Sequence, residues 1–304
     1  MGTAYHIKVV MQNGDDKKLL SSLIEEKLKD VNQSMSVYSQ TSEISLFNKA
    51  EKGKIIEISP EFYSVMVTSQ RLHHITEGAW DGTVKPLVDL WGFGTKKEIT
   101  TTPSSDIIRA LLETTGFNQI TIRDNSLQKR HSAITLDLGS IAKGFGVDAI
   151  GQLFKEQGYT NFMVEIGGEV LASGEKMPGK PWMVGISKPD KWDNPDGIYR
   201  SFQLRDKALA TSGDYRAFSI IEGKTFSHII NPVTGYPVDN GVVSTSVISD
   251  NCTFADGLAT ALMIMGQERG IKLVNSLENT ECLIVVRDRE GILKDYMSKN
   301  FPLP

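Results

Sequence analysis

The chain has 304 residues, of which 40% are apolar and 23% are charged, as in ordinary globular proteins. Its net charge of −4, from 33 basic and 37 acidic residues, provides no basic field and argues against nucleic acid as a partner. The only two cysteines, Cys252 and Cys282, are too few for a disulfide framework, and their spacing is not that of a zinc site.

Hydrophobic spacing and capping residues predict the elements of the first half of the chain. They are a strand over 4–11, an amphipathic helix over 15–35, a helix from Ser59-Pro60 to about Thr76, a helix from Ser104 or Ser105 to near Gly116, two strands around "RDNS" within 120–137, and a helix over about 141–157.

The second half is predicted to contain mainly strands. They lie near 162–172, 182–187, 201–204, 218–221 and 242–249, followed by a helix over about 253–265, a second helix to about 277, and closing strands at 282–287 and 292–297. Because the strands come in hairpin-like groups rather than alternating with helices, we expect an α+β fold with largely antiparallel sheets and flanking helices. No linker divides the chain, so we expect one domain.

The stretch "LDLGSIAKGFG", residues 136–146, reads as a strand that passes through glycine-rich backbone into a helix. Free N–H groups and the positive end of a helix favour a phosphate, and Lys143 can add a charge there. The stretch matches neither common phosphate-loop motif, so a plain glycine-rich turn with a solvated lysine is the alternative. We expect Asp137 to orient this loop rather than to take part in chemistry.

The stretch "SDNCTFADGLATALMIMG", residues 249–266, predicts a helix that is apolar nearly all round and therefore buried. Asp256 and Thr260 are four residues apart and so share one face of it. A buried carboxylate must be paired or bound to a cation, and a carboxylate with a hydroxyl suits Mg²⁺ or Ca²⁺. Two alternatives stay open: Asp256 caps a helix that starts later, and Thr260 bonds a carbonyl one turn back.

Two further stretches carry candidate ligand-binding residues. In "FSHIINPVTGYPV", residues 226–238, Asn231-Pro232 and Thr234-Gly235 mark tight turns after a short apolar strand. His228 alternates with apolar neighbours at the end of this strand and is either structural or able to accept a proton or bind a phosphate. In "TEGAWDGTVKPLVDLWGFG", residues 76–94, Trp80, Asp81 and Trp91 lie among glycines, where aromatic rings suit either a flat ligand or the core. The loops "MSVYSQTSEIS", with Tyr38, and "ATSGDY" are weaker candidates.

Together and in this order, these motifs resemble the ApbE family of bacterial flavin transferases, the FAD:protein FMN transferases. The resemblance runs from "MGTAY" at residue 1 through all the stretches above and "EIGGEV", and it covers essentially the whole chain. It implies a single ApbE-like, T-fold-like domain over residues 1–304.

For the metal and the diphosphate, the resemblance implies specific positions. Mg²⁺ would be held by the side chains of Asp256 and Thr260 and by the main-chain carbonyl of Ala142. Lys143 and the backbone near Gly139 would lie against the diphosphate of FAD.

The resemblance also implies flavin-contacting and catalytic residues. Met1, Tyr38 and the segment Ala79-Trp80-Asp81 would contact the flavin. His228 corresponds to the family's histidine beside the reacting phosphate, with Ser227 next to it. His228 and Asp256 are therefore the catalytic candidates.

Members of the family transfer the FMN half of FAD to a Ser or Thr hydroxyl on another protein, with Mg²⁺ required and AMP released. The acceptor lies in a motif of the type Asp-Gly-x-Ser/Thr-Gly-Ala-Thr, usually in membrane subunits of sodium-pumping or electron-transfer complexes.

Family members are usually lipid-anchored on the periplasmic side of the inner membrane. Since no leader and no membrane-spanning run stand in this sequence, we expect either a cytoplasmic protein or a chain from which the export segment was removed.

Two other functions are compatible with the same residues. A metal-dependent FAD pyrophosphatase would use water in place of the acceptor hydroxyl and yield FMN and AMP. A non-catalytic flavin-binding protein would carry out no chemistry, but Asp256 and Thr260 together argue against it, because binding alone needs no metal.

Overall fold

The computed structural model describes residues 2–94, 99–189, 197–214 and 218–302. In the described part of the chain the helices are α1 (Lys17–Met35), α2 (Glu43–Lys49), α3 (Pro60–Ile75), α4 (Lys85–Leu90), α5 (Ser105–Leu112), α6 (Ala142–Glu156) and α7 (Cys252–Val274), and a 3₁₀ turn lies at Phe117–Gln119. None of these helices is both long and apolar enough to cross a membrane.

The strands of the described residues form one large sheet and three small ones. They are β1 (Tyr5–Val9), β2 (Ile56–Glu57), β3 (Ile120–Arg123), β4 (Ser126–Lys129), β5 (Phe162–Ile166), β6 (Glu169–Ser173), β7 (Glu175–Met177), β8 (Lys180–Ser187), β9 (Ile198–Leu204), β10 (Lys207–Gly213), β11 (Phe218–Ile221), β12 (Lys224–Ser227), β13 (Val242–Ser249), β14 (Glu281–Arg287) and β15 (Leu293–Met297). The large sheet has the order β1-β5-β6-β10-β13-β14-β15, and every neighbouring pair is antiparallel.

Helix α7 is the centre of the packing. It lies against β10 and β13 of the large sheet on one side and against α6 and α3 on others. Residues 252–263 are buried except for Thr260, which is half-buried, so the burial expected from the apolar sequence is confirmed. Asp256 and Thr260 are thus carried on a rigid element that the sheet supports.

The predicted α+β fold with antiparallel sheets is confirmed, and so are the long helices. Ser59 and Ser104 accept hydrogen bonds from backbone N–H groups in the first turns of α3 and α5, as their capping sequences predict. The predicted break between two helices near residue 265 is present, because the backbone of α7 leaves helical geometry at Gly266.

Several predicted elements were wrong or missing. The second strand of the "RDNS" hairpin ends at Lys129, and residues 130–137 form no strand. The stretch "ATSGDY" was expected to be a polar loop, but residues 210–213 belong to β10 in the middle of the large sheet. The short helices α2 and α4 and the strands β2 and β7 were not predicted, and the short strand expected near His228 ends at Ser227 as β12.

Candidate active site

The glycine-rich stretch over 136–146 forms a turn that opens α6. The N–H group of Gly139 donates to Asp137 Oδ1 at 2.9 Å, and the N–H groups of Ile141 and Ala142 both donate to the carbonyl of Leu138. The Asp137 carboxylate therefore shapes the loop, in agreement with the role expected for it. Helix α6 begins at Ala142, so Lys143 stands in its first turn.

The Asp256 carboxylate binds the start of this helix. It is 3% exposed, its Oδ2 accepts from the N–H of Gly144 at 2.9 Å, and its Oδ1 lies 3.3 Å from Lys143 Nζ. The cap of α7 is Asn251, whose side chain accepts from Phe254 N. The alternative in which Asp256 caps a later-starting helix is therefore wrong, and the two stretches that sequence analysis treated separately meet here.

Thr260 lies one turn along α7 from Asp256, on the same face. Its hydroxyl oxygen is 3.1 Å from that of Ser212 on β10. Ser212 and the neighbouring Thr211 and Gly213 line the same cavity as Thr260. The strand that was mistaken for a loop therefore provides one wall of the site.

Glu169 is a site residue that sequence analysis missed. It is fully buried on β6, and its Oε1 lies 2.9 Å from Lys143 Nζ. Burial, reinforced by the nearby Asp256, raises the pKa of Glu169 to about 8, against the opposing effect of Lys143. Burial alone would lower the pKa of Lys143, but Asp256 and Glu169 outweigh it and hold that pKa above its usual value. Two buried carboxyl groups thus share one ammonium group.

The close approach of α6 to α7 depends on the absence of a side chain at Gly144. A Cβ atom there would lie 2.3 Å from the carbonyl oxygen of Cys252 and 2.8 Å from Cβ of Asp256. Because one of these neighbours is backbone, the two helices must separate to accept a methyl group.

We therefore expect Gly144→Ala to lower the free energy of unfolding by about 3 kcal/mol, at the upper end of overpacking costs. Urea denaturation of the variant and of wild type measures the difference. Gly185→Ala is the matched control, because a Cβ atom there would make ordinary contacts of 3.5–3.7 Å with Ile198. Wild-type stability of the Gly144→Ala variant would contradict the close packing of the two helices.

A cavity of about 380 Å³ brings most of the predicted site residues together. Its lining includes the predicted residues Ala79, Trp80, Asp81, Gly139, Lys143, His228, Asp256 and Thr260. Ser227 lines a neighbouring cavity instead, and its hydroxyl oxygen accepts from the N–H of Ile229 at 3.2 Å. Tyr38 is 85% exposed on the loop between α1 and α2 and is outside the lining of the cavity. Met1 and Tyr215 lie outside the described residues.

Hydrogen bonds to the Asp81 carboxylate hold the segment from Ala79 to Asp81 in place. The Asp81 carboxylate accepts from the N–H and hydroxyl groups of Thr83 and from the N–H of Phe117, and it lies 3.4 Å from His73 Nδ1. Trp80 is buried, with its ring edge-on to Phe117. The side chains of this segment are therefore buried, and the same three residues line the cavity.

His228 lines the same cavity and comes just after β12. Its ring packs edge-on against Phe93, with the ring centroids 6.4 Å apart. The turn that follows is held by Asn231, whose side-chain oxygen accepts from the N–H groups of Val233 and Thr234. The turn predicted from Asn231-Pro232 and Thr234-Gly235 is confirmed, and it fixes the backbone next to His228.

The oxygen atoms around Asp256 suit a magnesium ion. Among the described residues no three His, Cys, Asp or Glu side chains are grouped as a metal site. The predicted ligands include only one such side chain, because the others are the Thr260 hydroxyl and the Ala142 carbonyl. These are all hard oxygen donors, which Mg²⁺ prefers. Asp256 and Glu169 are buried carboxyl groups that share the Lys143 ammonium, so a cation bound to Asp256 would add compensating charge when both are ionised.

Fold and cavity together define an α+β protein with a ligand cavity in which backbone amides, a lysine and buried carboxyl groups converge. Residues 1–284 match the model of the ApbE family, and the chain belongs to that family.

The relatives carry consistent names. A relative from Vibrio cholerae named FAD:protein FMN transferase is 40% identical over 302 residues, which cover 99% of this chain and 89% of the relative. A relative of the same name from Haemophilus influenzae is 36% identical, with coverage of 96% and 86%.

Solved structures agree with the sequence comparison. The flavin transferase ApbE from Vibrio cholerae has a TM-score of 0.86 at 40% identity, covering 99% of this chain and 95% of that one. The apo form of the Pseudomonas stutzeri flavinyl transferase ApbE has a TM-score of 0.87 at 31% identity, with coverage of 98% and 92%. The resemblance identified from the motifs is thus confirmed at the level of the family.

Proposed function

We propose that this chain is an enzyme that transfers the FMN moiety of FAD to a Ser or Thr hydroxyl of an acceptor protein, with Mg²⁺ as cofactor and AMP as the leaving group. The observation that supports it most directly is that Asp256 binds the start of α6 beside Lys143 and lines one cavity together with Thr260, Lys143 and His228. The names of the relatives point to the same activity.

The start of α6 is where the diphosphate of FAD would bind. The backbone near Gly139 and the positive end of the helix attract an anion, and the Lys143 ammonium, which lines the cavity, adds a full charge. Magnesium held by Asp256, Thr260 and the Ala142 carbonyl would offset the diphosphate charge and stabilise the departing phosphate. The backbone of Ala79-Trp80-Asp81 and the exposed ring of Tyr38 are the proposed flavin contacts.

In the transfer step, the acceptor hydroxyl oxygen attacks the phosphorus on the FMN side of the diphosphate. A new oxygen–phosphorus bond forms, the bond to the bridging oxygen breaks, and AMP carries away the electron pair. We assign to His228 either uptake of the hydroxyl proton or stabilisation of the phosphoryl oxygens, since it lines the same cavity as Lys143.

The acceptor is proposed to present its hydroxyl in a segment of the type Asp-Gly-x-Ser/Thr-Gly-Ala-Thr, in a subunit of a membrane redox complex. Accordingly, the enzyme is proposed to act on the periplasmic side of the inner membrane, where a lipid anchor would hold its full-length form.

Mass spectrometry after incubation with FAD, Mg²⁺ and a peptide carrying the acceptor motif tests the proposal. We expect the peptide to gain the mass of one FMN unit, together with free AMP. The matched control is the same peptide with Ala in place of the acceptor Ser or Thr, which must stay unmodified. Free FMN and AMP with an unmodified peptide would instead identify an FAD pyrophosphatase, and unchanged FAD would identify a flavin-binding protein without chemistry.

A further inference from the structure

Lys143 forms ion pairs with two carboxyl groups in the structure. Its Nζ lies 2.9 Å from Glu169 Oε1 and 3.3 Å from Asp256 Oδ1, so the shorter contact is to Glu169. The turn between β5 and β6 lies against the lysine stem, because a Cβ atom at Gly167, where φ is +63°, would be 3.0 Å from Lys143 Cδ. The lysine is therefore confined between this turn and the cavity.

Glu169 is a costly residue to bury. It is fully buried, and its Oε1 lies at ion-pair distance from Lys143 Nζ, but neither of its carboxyl oxygens makes a hydrogen bond of good geometry in the part of the chain that the structure describes. An incompletely paired carboxyl group in the interior lowers stability, whereas an apolar side chain of the same size would not. A role beyond stabilising the fold would account for a carboxyl group at this position.

We infer that Glu169 is a positioning residue that anchors the Lys143 ammonium, so that Asp256 stays available for a divalent cation while the lysine faces the diphosphate. The inference rests on the proposed function, because it takes Asp256 as a cation ligand. A neutral Glu169 keeps an acceptor oxygen beside the Lys143 ammonium, so the anchoring contact does not require the carboxyl group to be ionised.

The physical reason is competition for one carboxylate. Without Glu169, the contact left to Lys143 among those described here is Asp256 Oδ1, the oxygen that a cation would also use. An ammonium and a divalent cation repel each other at such short range, and the repulsion is strong where water is excluded. Loss of the anchor should therefore weaken cation binding, although Glu169 itself touches no cation.

The test titrates Mn²⁺ alone into the purified full chain and follows the free ion by electron paramagnetic resonance. We expect Glu169→Met to weaken Mn²⁺ binding about tenfold or more, as is typical when a partner of a metal ligand is lost. Glu169→Gln keeps an acceptor oxygen and should stay within about threefold of wild type. Glu175→Met is the control, because Glu175 contacts Arg205 at 3.0 Å and lies outside the cavity lining.

A second substitution separates positioning from a purely structural role. Lys143→Met removes the competing ammonium, so the double variant with Glu169→Met should regain Mn²⁺ affinity and match Lys143→Met alone. Wild-type affinity of Glu169→Met, or a double variant as weak as Glu169→Met, would overturn the inference. If Glu169→Met does not fold, Lys143→Met alone tests the inference. A loss of Mn²⁺ affinity in that variant would overturn the inference, because it would show that the lysine supports cation binding.

If the proposed function is wrong, the Mn²⁺ titrations give a different result. Wild type would then bind Mn²⁺ no better than Asp256→Asn. Measurable binding by wild type that is lost in Asp256→Asn, combined with an unaffected Glu169→Met variant, would leave the proposed function in place and remove only the positioning role.

Discussion

Asp256→Asn should lose at least about a hundredfold in the rate of Mg²⁺-dependent FMN transfer while keeping its fold. The substitution retains an acceptor for the N–H of Gly144, which now bonds Asp256 Oδ2 at 2.9 Å, so the packing of α6 against α7 is preserved. It removes the negative charge that a cation needs. Charge stabilisation by a bound metal contributes several kcal/mol to a transition state, and each 1.4 kcal/mol is a factor of ten in rate.

The measurement is the initial rate of acceptor modification over a Mg²⁺ titration. Asp250→Asn is the matched control, since that exposed carboxylate lies close in sequence, just before α7, pairs with Lys207 and lies outside the cavity lining. Thermal unfolding of both variants separates loss of charge from loss of structure. Full activity of Asp256→Asn with an unchanged Mg²⁺ midpoint would remove Asp256 from the metal site.

The fold was predictable where local patterns are strong. Helices α1, α3 and α6 have regular apolar spacing, and the caps of α3 and α5 are serine side chains that bond the first turn. Strand β10 was not predictable in this way, because "KALATSG" is made mostly of small residues with weak strand preference. Its conformation is set by pairing with β6 and β13, which sequence spacing does not reveal.

The two stretches that form the site could each be predicted from the sequence, but their contact could not. Asp256 and Lys143 were each identified from local sequence, yet 113 residues separate them. Before the structure, only the family resemblance placed them in one site. Glu169 lies in the quoted motif "EIGGEV", where an acidic residue opens a strand that continues with buried Leu171 and Ser173. An acid on the inward face of a strand is the signal that would have found it.

Removal of the histidine is expected to have an effect comparable to the loss of Asp256, but through a different step. We expect His228→Ala to slow FMN transfer by about 10²–10⁴, the usual contribution of a positioned proton acceptor. FAD binding should stay within a few-fold of wild type, because the proposed diphosphate contacts, the glycine-rich turn and Lys143, remain in this variant.

Two measurements on the same variant distinguish catalysis from binding. Quenching of flavin fluorescence gives the affinity for FAD, and single-turnover mass spectrometry gives the transfer rate. His74→Ala is the matched control, since His74 is exposed on α3 and outside the cavity lining. A fall in transfer rate that is matched by an equal fall in FAD affinity would make His228 a binding residue, and an unchanged rate would exclude both roles. A slow rate with intact affinity requires that the imidazole acts on the hydroxyl proton or on the phosphoryl oxygens during the transfer itself.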